Sequence, residues 1–594
     1  MRRRLLSISS VVCSAVLLTS VWCGSASGED FYPRSTGLGS QSFSSQSANS
    51  EISISKTAIP EPSRNGSVQV PQAAVSDKPA SDRLAEIGDL LREGRRLEVE
   101  DRWGEALTHY EEAIRIFPDE DSLRRRFDFS RMHYDLRRRY SDTSFCGALN
   151  RLEFEQALDL YTQVLLKVQT HYVETPHWKE LVERGTNSFD VALSEDSFIS
   201  RHIPHIEREM IDDFRHELRR KLGPMVIGDY AGAREAVAVA AGMAHRRLGI
   251  RPTSVVLEYL CGATNSLDVY SAYLTPDQLA EVYSQIEGNF VGLGIELRMD
   301  NNELVIVRVI SGSPAQKAGI RDGDRIVAVD GQPVADMSTD EAANLLQGKV
   351  DTIVRLDLAG HQGAVRSVSV RRERVEVPSV DQVRIVDSEK GIGYLRLTCF
   401  QKTTCKDLDD ALWKLYRQGM RGGLIVDLRG NPGGLLVTSV EAVDRFVERG
   451  VIVSTRGRDV REGFTYSAHV PGTWRVPLAV MIDKDSASAA EIFAGAIRDH
   501  RRGTIVGHKS YGKGSVQGIF PLQGSQSGMR LTTAKFYSPN GRPYSLVGVK
   551  PDIQVQTVAK PIAESGTVAT QYDPVLAAAV DALKGGSRKL AAQR

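Results

Sequence analysis

Residues 477–517 read PLAVMIDKDSASAAEIFAGAIRDHRRGTIVGHKSYGKGSVQ. The apolar run from Pro477 to Ile482 passes through the charged turn Asp483-Lys484-Asp485 into a stretch of small residues, Ser486-Ala487-Ser488-Ala489-Ala490. From Ala489 to Arg498, Ile492, Phe493 and Ile497 recur at helical spacing, so the segment is a strand–turn–helix unit. That unit predicts Ser488 at a helix N-terminus, where unused backbone N–H groups can hold an oxyanion. A second short strand, Thr504 to Val506, leads to Lys513, 25 residues after Ser488 and flanked by Gly512 and Gly514. The glycines let backbone and ammonium approach a buried site closely. A serine hydroxyl is a poor nucleophile until a base takes its proton, and a desolvated lysine can be that base. Taken alone, the pair also has a structural reading: a helix-capping serine and a lysine in a solvated turn.

The longer string weighs for chemistry. The stretch from Val480 to Gln517, closing in Gly512-Lys513-Gly514-Ser515-Val516-Gln517, resembles the carboxyl-terminal processing peptidases, or tail-specific proteases. Three more stretches resemble the same family in the same order: LDVYSAYLTP at 267–276, LIVDLRGNPGG at 424–434, and YSPNGR at 537–542 followed by GVKPD at 548–552. The resemblance implies Ser488 as nucleophile, Lys513 as base and Gln517 as the residue that orients the lysine amine. It also implies an oxyanion hole from the Ala489 N–H and one N–H of the Gly433-Gly434 turn, with Gly434 the expected donor. Such donors are worth about 3 kcal/mol each. A lysine base must be neutral, so burial has to lower its pKa. His508 is the rival base. His500 reads as a dipole partner at the helix C-terminus. Ser486 is the alternative nucleophile, which the 25-residue spacing disfavours. Ala490 stands where many relatives carry a second serine, a change expected to be tolerated. No cofactor or metal is implied.

The chain has 594 residues, 41% hydrophobic and 25% charged, with a formal net charge of zero. That length accommodates several domains, and the balance gives no global attraction to nucleic acid or anionic lipid. Arg2-Arg3-Arg4 precede an apolar stretch from Leu5 to Trp22 and the small residues Ser25-Ala26-Ser27, the layout of a secretory signal peptide. The expected location is outside the cytoplasm, in the periplasm, with a membrane anchor only if the leader stays uncleaved. Beyond the leader lie Cys146, Cys261, Cys399 and Cys405; the last two are near enough to pair across a turn or to stand as separate buried thiols.

Residues 28–81 are rich in Ser, Pro, Gln and Ala and read as a disordered linker. From 82 to 150 the pattern turns helical, and Trp103-Gly104-Glu105-Ala106-Leu107 with Tyr110, Ala113 and Pro118 resembles one tetratricopeptide repeat, a platform for a protein partner or a plain helical extension. Residues 151–289 read as the helical N-terminal region of the protease, with 174–252 partly an insertion. Within it, His205 and Glu209 at i,i+4 spacing, near His202, suggest a weak zinc pattern without a third ligand in register. Residues 290–374 resemble a PDZ domain: Gly292-Leu293-Gly294-Ile295 as carboxylate-binding loop, Leu297 on the adjacent strand, and 339–346 as groove-lining helix. Such a domain reads free C-termini. Residues 375–556 alternate strands and helices, an α/β core that the resemblance relates to the ClpP–crotonase folds; 557–594 reads as a tail. The resulting expectation is an exported serine endopeptidase selecting protein tails. The alternative is a non-catalytic PDZ and helical-repeat scaffold.

Overall fold

The computed structural model describes residues 21–22, 80–300, 303–334, 342, 345–346, 348–360, 364–469, 473–555 and 573–591. The leader and the Ser-rich linker lie almost wholly outside the described residues, as does most of 339–346. Residues 21 and 22 form a two-residue strand, β1 (Val21–Trp22), pairing in parallel with Gln517 and Gly518.

Contacts divide the chain between Tyr134 and Asp135 rather than at 150. In the smaller unit, helices α1 (Ala80–Val99) and α2 (Trp103–Ile116) pack through Ile87, Leu97, Ala106, Tyr110 and Ala113. Gly94 lies flat against the Tyr110 ring, where a Cβ would come within 2.2 Å. Helix α3 (Asp121–Ser141) begins there. Its last turns belong to the larger unit because Leu136 and Tyr140 join the core of the next helices.

Those helices are α4 (Thr143–Arg151), α5 (Phe154–His171), α6 (Trp178–Ala192), α7 (Asp196–His202), α8 (Arg208–Leu222), α9 (Tyr230–Leu248) and α10 (Pro252–Asn265). They share one apolar core, so 174–252 is an integral part of this region. Inside it, Arg139 and Glu258 form a buried ion pair at 2.6 Å that Tyr140 joins. Strand β2 (Ala272–Leu274) and helix α11 (Pro276–Glu287) follow, the helix started by a Thr275–Gln278 capping box.

The chain then enters an inserted domain through β3 (Asn289–Gly292) and leaves it through β10 (Glu373–Glu376), and these two strands pair with each other, antiparallel. Between them lie β4 (Ile295–Asp300), β5 (Glu303–Val309), α12 (Pro314–Lys317), β6 (Arg325–Val329), β7 (Gln332–Pro333), β8 (Ile353–Ala359) and β9 (Val365–Arg371), in the order β4-β5-β6-β8-β9. Among the described residues β4 is an edge strand, with its outer hydrogen-bonding side unpaired.

In the core, β11 (Val380–Asp387), β12 (Ile392–Leu397), α13 (Thr404–Arg417), β13 (Gly423–Asp427), α14 (Leu436–Asp444), β14 (Val451–Gly457), β15 (Thr465–Ser467), β16 (Leu478–Ile482), α15 (Ala489–Asp499), β17 (Thr504–Gly507), β18 (Ser515–Pro521), β19 (Gly528–Tyr537) and β20 (Ile553–Gln554) build two sheets. The first, β11-β12-β13-β16-β17-β20, is parallel from β12 onward. A parallel sheet needs both faces covered. Leu395, Leu397, Val426, Val480 and Ile482 face α13, α14 and α15, while Tyr394, Ile425, Met481 and Val506 face a last helix, α16 (Pro574–Ala591). The segment read as a tail therefore supplies Val575, Ala579 and Leu583, an i,i+4,i+8 stripe, to the core. The second sheet, β1-β18-β19-β14-β15 with β2 added on β19, runs beside the first.

Candidate active site

Strand β16 ends at Ile482, and the Asp483 carboxylate turns the chain by accepting the N–H groups of Asp485 and Ser486, both at 3.0 Å. The Ser486 hydroxyl donates to Leu428 O at 2.8 Å, so it staples the turn to the end of β13. Ser488 follows as N-cap of α15 with φ 58° and ψ −116°. A left-handed φ on a non-glycine residue is uncommon and marks stored strain. Gly433 makes room for it: a Cβ there would come 2.7 Å from Ser488 Cβ and 2.9 Å from Ala489 N.

The glycine turn is built from Asn431, which is buried and uses both ends. Its amide nitrogen donates to Leu397 O at 2.7 Å, its side-chain oxygen accepts Gly433 N at 2.9 Å, and its carbonyl accepts Ala487 N. Beyond it, Phe400 N donates to Gly433 O and Leu435 N donates to Phe400 O. This bridge directs the Gly434 N–H away from Phe400. Gly434 has φ +136°, and a Cβ there would meet Phe400 O at 2.0 Å, so the position requires glycine.

Lys513 sits just before β18, and Gln517 is in that strand; together with Ser488 all three are 0% exposed. The Lys513 amine has no hydrogen-bond partner, and neither has the side-chain oxygen of Gln517, whose amide donates to Ser515 and Thr532. Native interiors rarely leave such atoms unpaired. Burial drives the Lys513 pKa well below its ordinary value, helped by Arg530 and opposed by Glu491 and Asp268. The amine is therefore held toward its neutral form.

Glu491, which carried no role in the sequence reading, joins the two halves. One carboxylate oxygen accepts Ser488 N and Lys513 N, each at 2.8 Å; the other accepts Gly512 N at 2.7 Å and the Ser510 hydroxyl at 2.5 Å. Desolvation pushes its pKa up to about 7 despite these four donors. The Ser-x-x-Glu spacing of a capping box was the available signal. Its second use, clamping a loop 21 and 22 residues downstream, has no local signature.

His500 is the C-cap residue of α15, its ring bonded to Val451 O at 2.7 Å, and His508 N donates to Ile482 O. His205 falls in the turn between α7 and α8, not on a helix face, and His202 is pulled down to about 4 by burial against Tyr140. No metal-holding cluster of His, Cys, Asp and Glu occurs among the described residues. Cys399 and Cys405 are separate thiols, directed at Gln401 and Thr438 O. In the inserted domain, Leu293 O and Gly294 O accept Ala315 N and Ile310 N, Gly294 has φ +79°, Gly292 ends β3, and Ile295 and Leu297 lie partly buried on the domain core.

A strand–turn–helix serine, a buried lysine and a glycine turn thus lie on an α/β core that bears a separate β domain, and the sequence matches are to serine-type peptidases of this build. The profile of peptidase family S41 matches residues 391–555, and a PDZ domain profile matches 305–360. A carboxy-terminal-processing protease of Bartonella bacilliformis is 38% identical over 301 residues, covering 50% of this chain and 68% of that protein. A carboxyl-terminal-processing protease of Synechocystis is 33% identical over 323 residues, covering 53% and 74%. A solved photosystem II D1 C-terminal processing protease is 25% identical, covering 67% of this chain and 92% of that one, with TM-score 0.37. This chain belongs to the carboxyl-terminal processing peptidase family.

Proposed function

We propose that this protein is an exported endopeptidase that selects substrates by their C-terminal tails and cleaves them with a Ser488–Lys513 dyad. The observation that carries the reading is the Lys513 amine: wholly buried, without a partner, kept from protonation by burial, and tied to Ser488 through one carboxylate. Ser488 attacks the scissile carbonyl as Lys513 takes its proton. The Gly434 and Ala489 N–H groups receive the oxyanion. The tetrahedral intermediate collapses when Lys513 returns the proton to the leaving amine, and the same lysine then activates water against the acyl-enzyme. The unpartnered Gln517 oxygen is the acceptor for the transient ammonium. Because the dyad is solvent-inaccessible, a substrate must displace part of its cover.

Tail selection rests on the edge strand β4 and the Gly292–Ile295 loop, onto which a peptide adds as a strand with its carboxylate at the loop. Export rests on the leader, and partner docking on the helices of residues 80–134. The test is cleavage of a tailed substrate by protein lacking residues 1–27. Ser488→Ala and Lys513→Ala each abolish it with folding intact, since the pair acts as a unit, while His508→Ala keeps most activity. An inert His508→Ala with an active Lys513→Ala overturns the dyad. Amidating the tail weakens binding about tenfold or more, as loss of a charge-assisted contact; equal affinity removes tail selection alone. An intact Met1 in a cytoplasmic pool removes export.

A further inference from the structure

We propose that Tyr270 is a positioning residue of the reaction: its ring keeps water from the Lys513 amine and fixes the side from which that amine exchanges a proton. The inference rests on Lys513 being the base. Lys513 Nζ lies 4.8 Å from the centroid of the Tyr270 ring, in van der Waals range of an aromatic face, and makes no hydrogen bond.

The backbone that carries the ring is anchored from several sides. The Asp268 carboxylate accepts Tyr270 N at 2.7 Å and Ser271 N at 2.8 Å, and Arg530 Nε donates to Tyr270 O at 2.8 Å. The Tyr270 hydroxyl faces Tyr511, two residues before Lys513. Two residues further on, β2 pairs with β19 at Ala272–Arg530. The segment that precedes the inserted domain thus places a fixed aromatic wall on the base.

An aromatic face acts in two opposed ways on a group that alternates between two charge states. By excluding water it disfavours the ammonium, and this effect, which can reach several pH units for a buried amine, exceeds the attraction of its π-cloud for the same cation. The other groups acting on the amine are Arg530, which disfavours its charge, and Glu491 and Asp268, which favour it; burial outweighs them. Removing the ring admits water, so the amine's pKa rises. The reactive form is the neutral amine, so the acid limb of kcat/KM moves to higher pH.

The experiment is the pH profile of kcat/KM for Tyr270→Phe, Tyr270→Leu and Tyr270→Ala. Tyr270→Phe, which keeps the ring, leaves the acid limb in place. Tyr270→Ala moves it up by at least one pH unit, lowers activity at pH 7 more than tenfold, and regains most of it near pH 9–10. Tyr270→Leu falls between them and serves if the alanine variant does not fold. A uniform loss at every pH, with the limb unmoved in the leucine and alanine variants, overturns the inference. Lys513→Ala run alongside separates the outcomes: if that variant is active, the dyad reading fails, whatever the Tyr270 variants do.

Discussion

Replacing Glu491 by glutamine separates stability from catalysis at this site. The amide keeps the shape of the carboxylate but offers one acceptor oxygen instead of two. Four donors converge on the carboxylate, two on each oxygen; only the Ser510 hydroxyl can turn to accept from an NH2 group, so the better amide orientation leaves the Gly512 N–H facing it. A buried donor without a partner costs about 1–3 kcal/mol, so this orientation costs roughly 2 kcal/mol. Against this stands relief of a strained ionisation. A pKa raised from 4.5 to about 7 means that burying the charged form costs about 3 kcal/mol above pH 7. The two nearly cancel, and Glu491→Gln should change unfolding stability at pH 8 by only about 1 kcal/mol. Catalysis has no such compensation. The Gly512 N–H beside Lys513 loses its anchor, and displacement of reacting groups by about 1 Å costs roughly 100-fold. The sign of the pH effect follows. Between pH 4.5 and 7 the native state holds a proton that the unfolded chain has released, so this group's contribution is fullest below pH 4.5 and is lost as pH rises through 7. Urea unfolding at pH 5, 7 and 8.5, with kcat/KM on a tailed peptide, reads both. Wild-type kcat/KM in Glu491→Gln, or an unchanged pH slope of stability, would mean that Glu491 neither positions the two residues nor ionises at a cost.

Gly434→Ala puts a Cβ 2.0 Å from Phe400 O, so kcat should fall at least 100-fold with a smaller change in KM, measured at saturating and limiting substrate. Leu546 is 90% exposed with φ 61°, and its N–H donates to Gly512 O at 2.8 Å. Leu546→Gly keeps that bond and relieves the backbone, so urea unfolding should show about 1 kcal/mol of added stability. Asp573 accepts Arg429 at 2.7 and 3.1 Å and the N–H groups of Val575 and Leu576. Asp573→Ala should cost about 1–2 kcal/mol, a cap plus a partly exposed ion pair, and limited proteolysis should cut near α16 first.

What was legible in the sequence follows from how local each feature is. The alternation of β12, α13 and β13 shows because a strand buried on both faces must be a nearly continuous apolar run, as LIVDL at 424–428 is. Ser488, Lys513 and the glycine turn sit in short motifs whose conformations their own residues dictate. The roles of Glu491 and Tyr270 were hidden because their partners are remote: Tyr270 meets an amine 243 residues further along the chain. Helix α16 was missed although Val575, Ala579 and Leu583 have helical spacing, since nothing local says that a stripe of small apolar residues covers a sheet. The division at Tyr134 fell inside a helix, where neither composition nor a breaker residue marks it.

The pairing of β3 with β10 has a topological consequence. Val377 N donates to Gly288 O at 3.0 Å immediately outside those strands, so the chain departs from the core and returns to it at one point. To the core, the 88 residues from Asn289 to Glu376 are a side branch on a clasp, contributing no span that the other elements must bridge. Lengthening, shortening or exchanging that branch leaves the geometry between α11 and β11 untouched, provided the clasp closes. A recognition domain mounted in this way can be altered independently of the catalytic one, and the clasp is the part that both must keep.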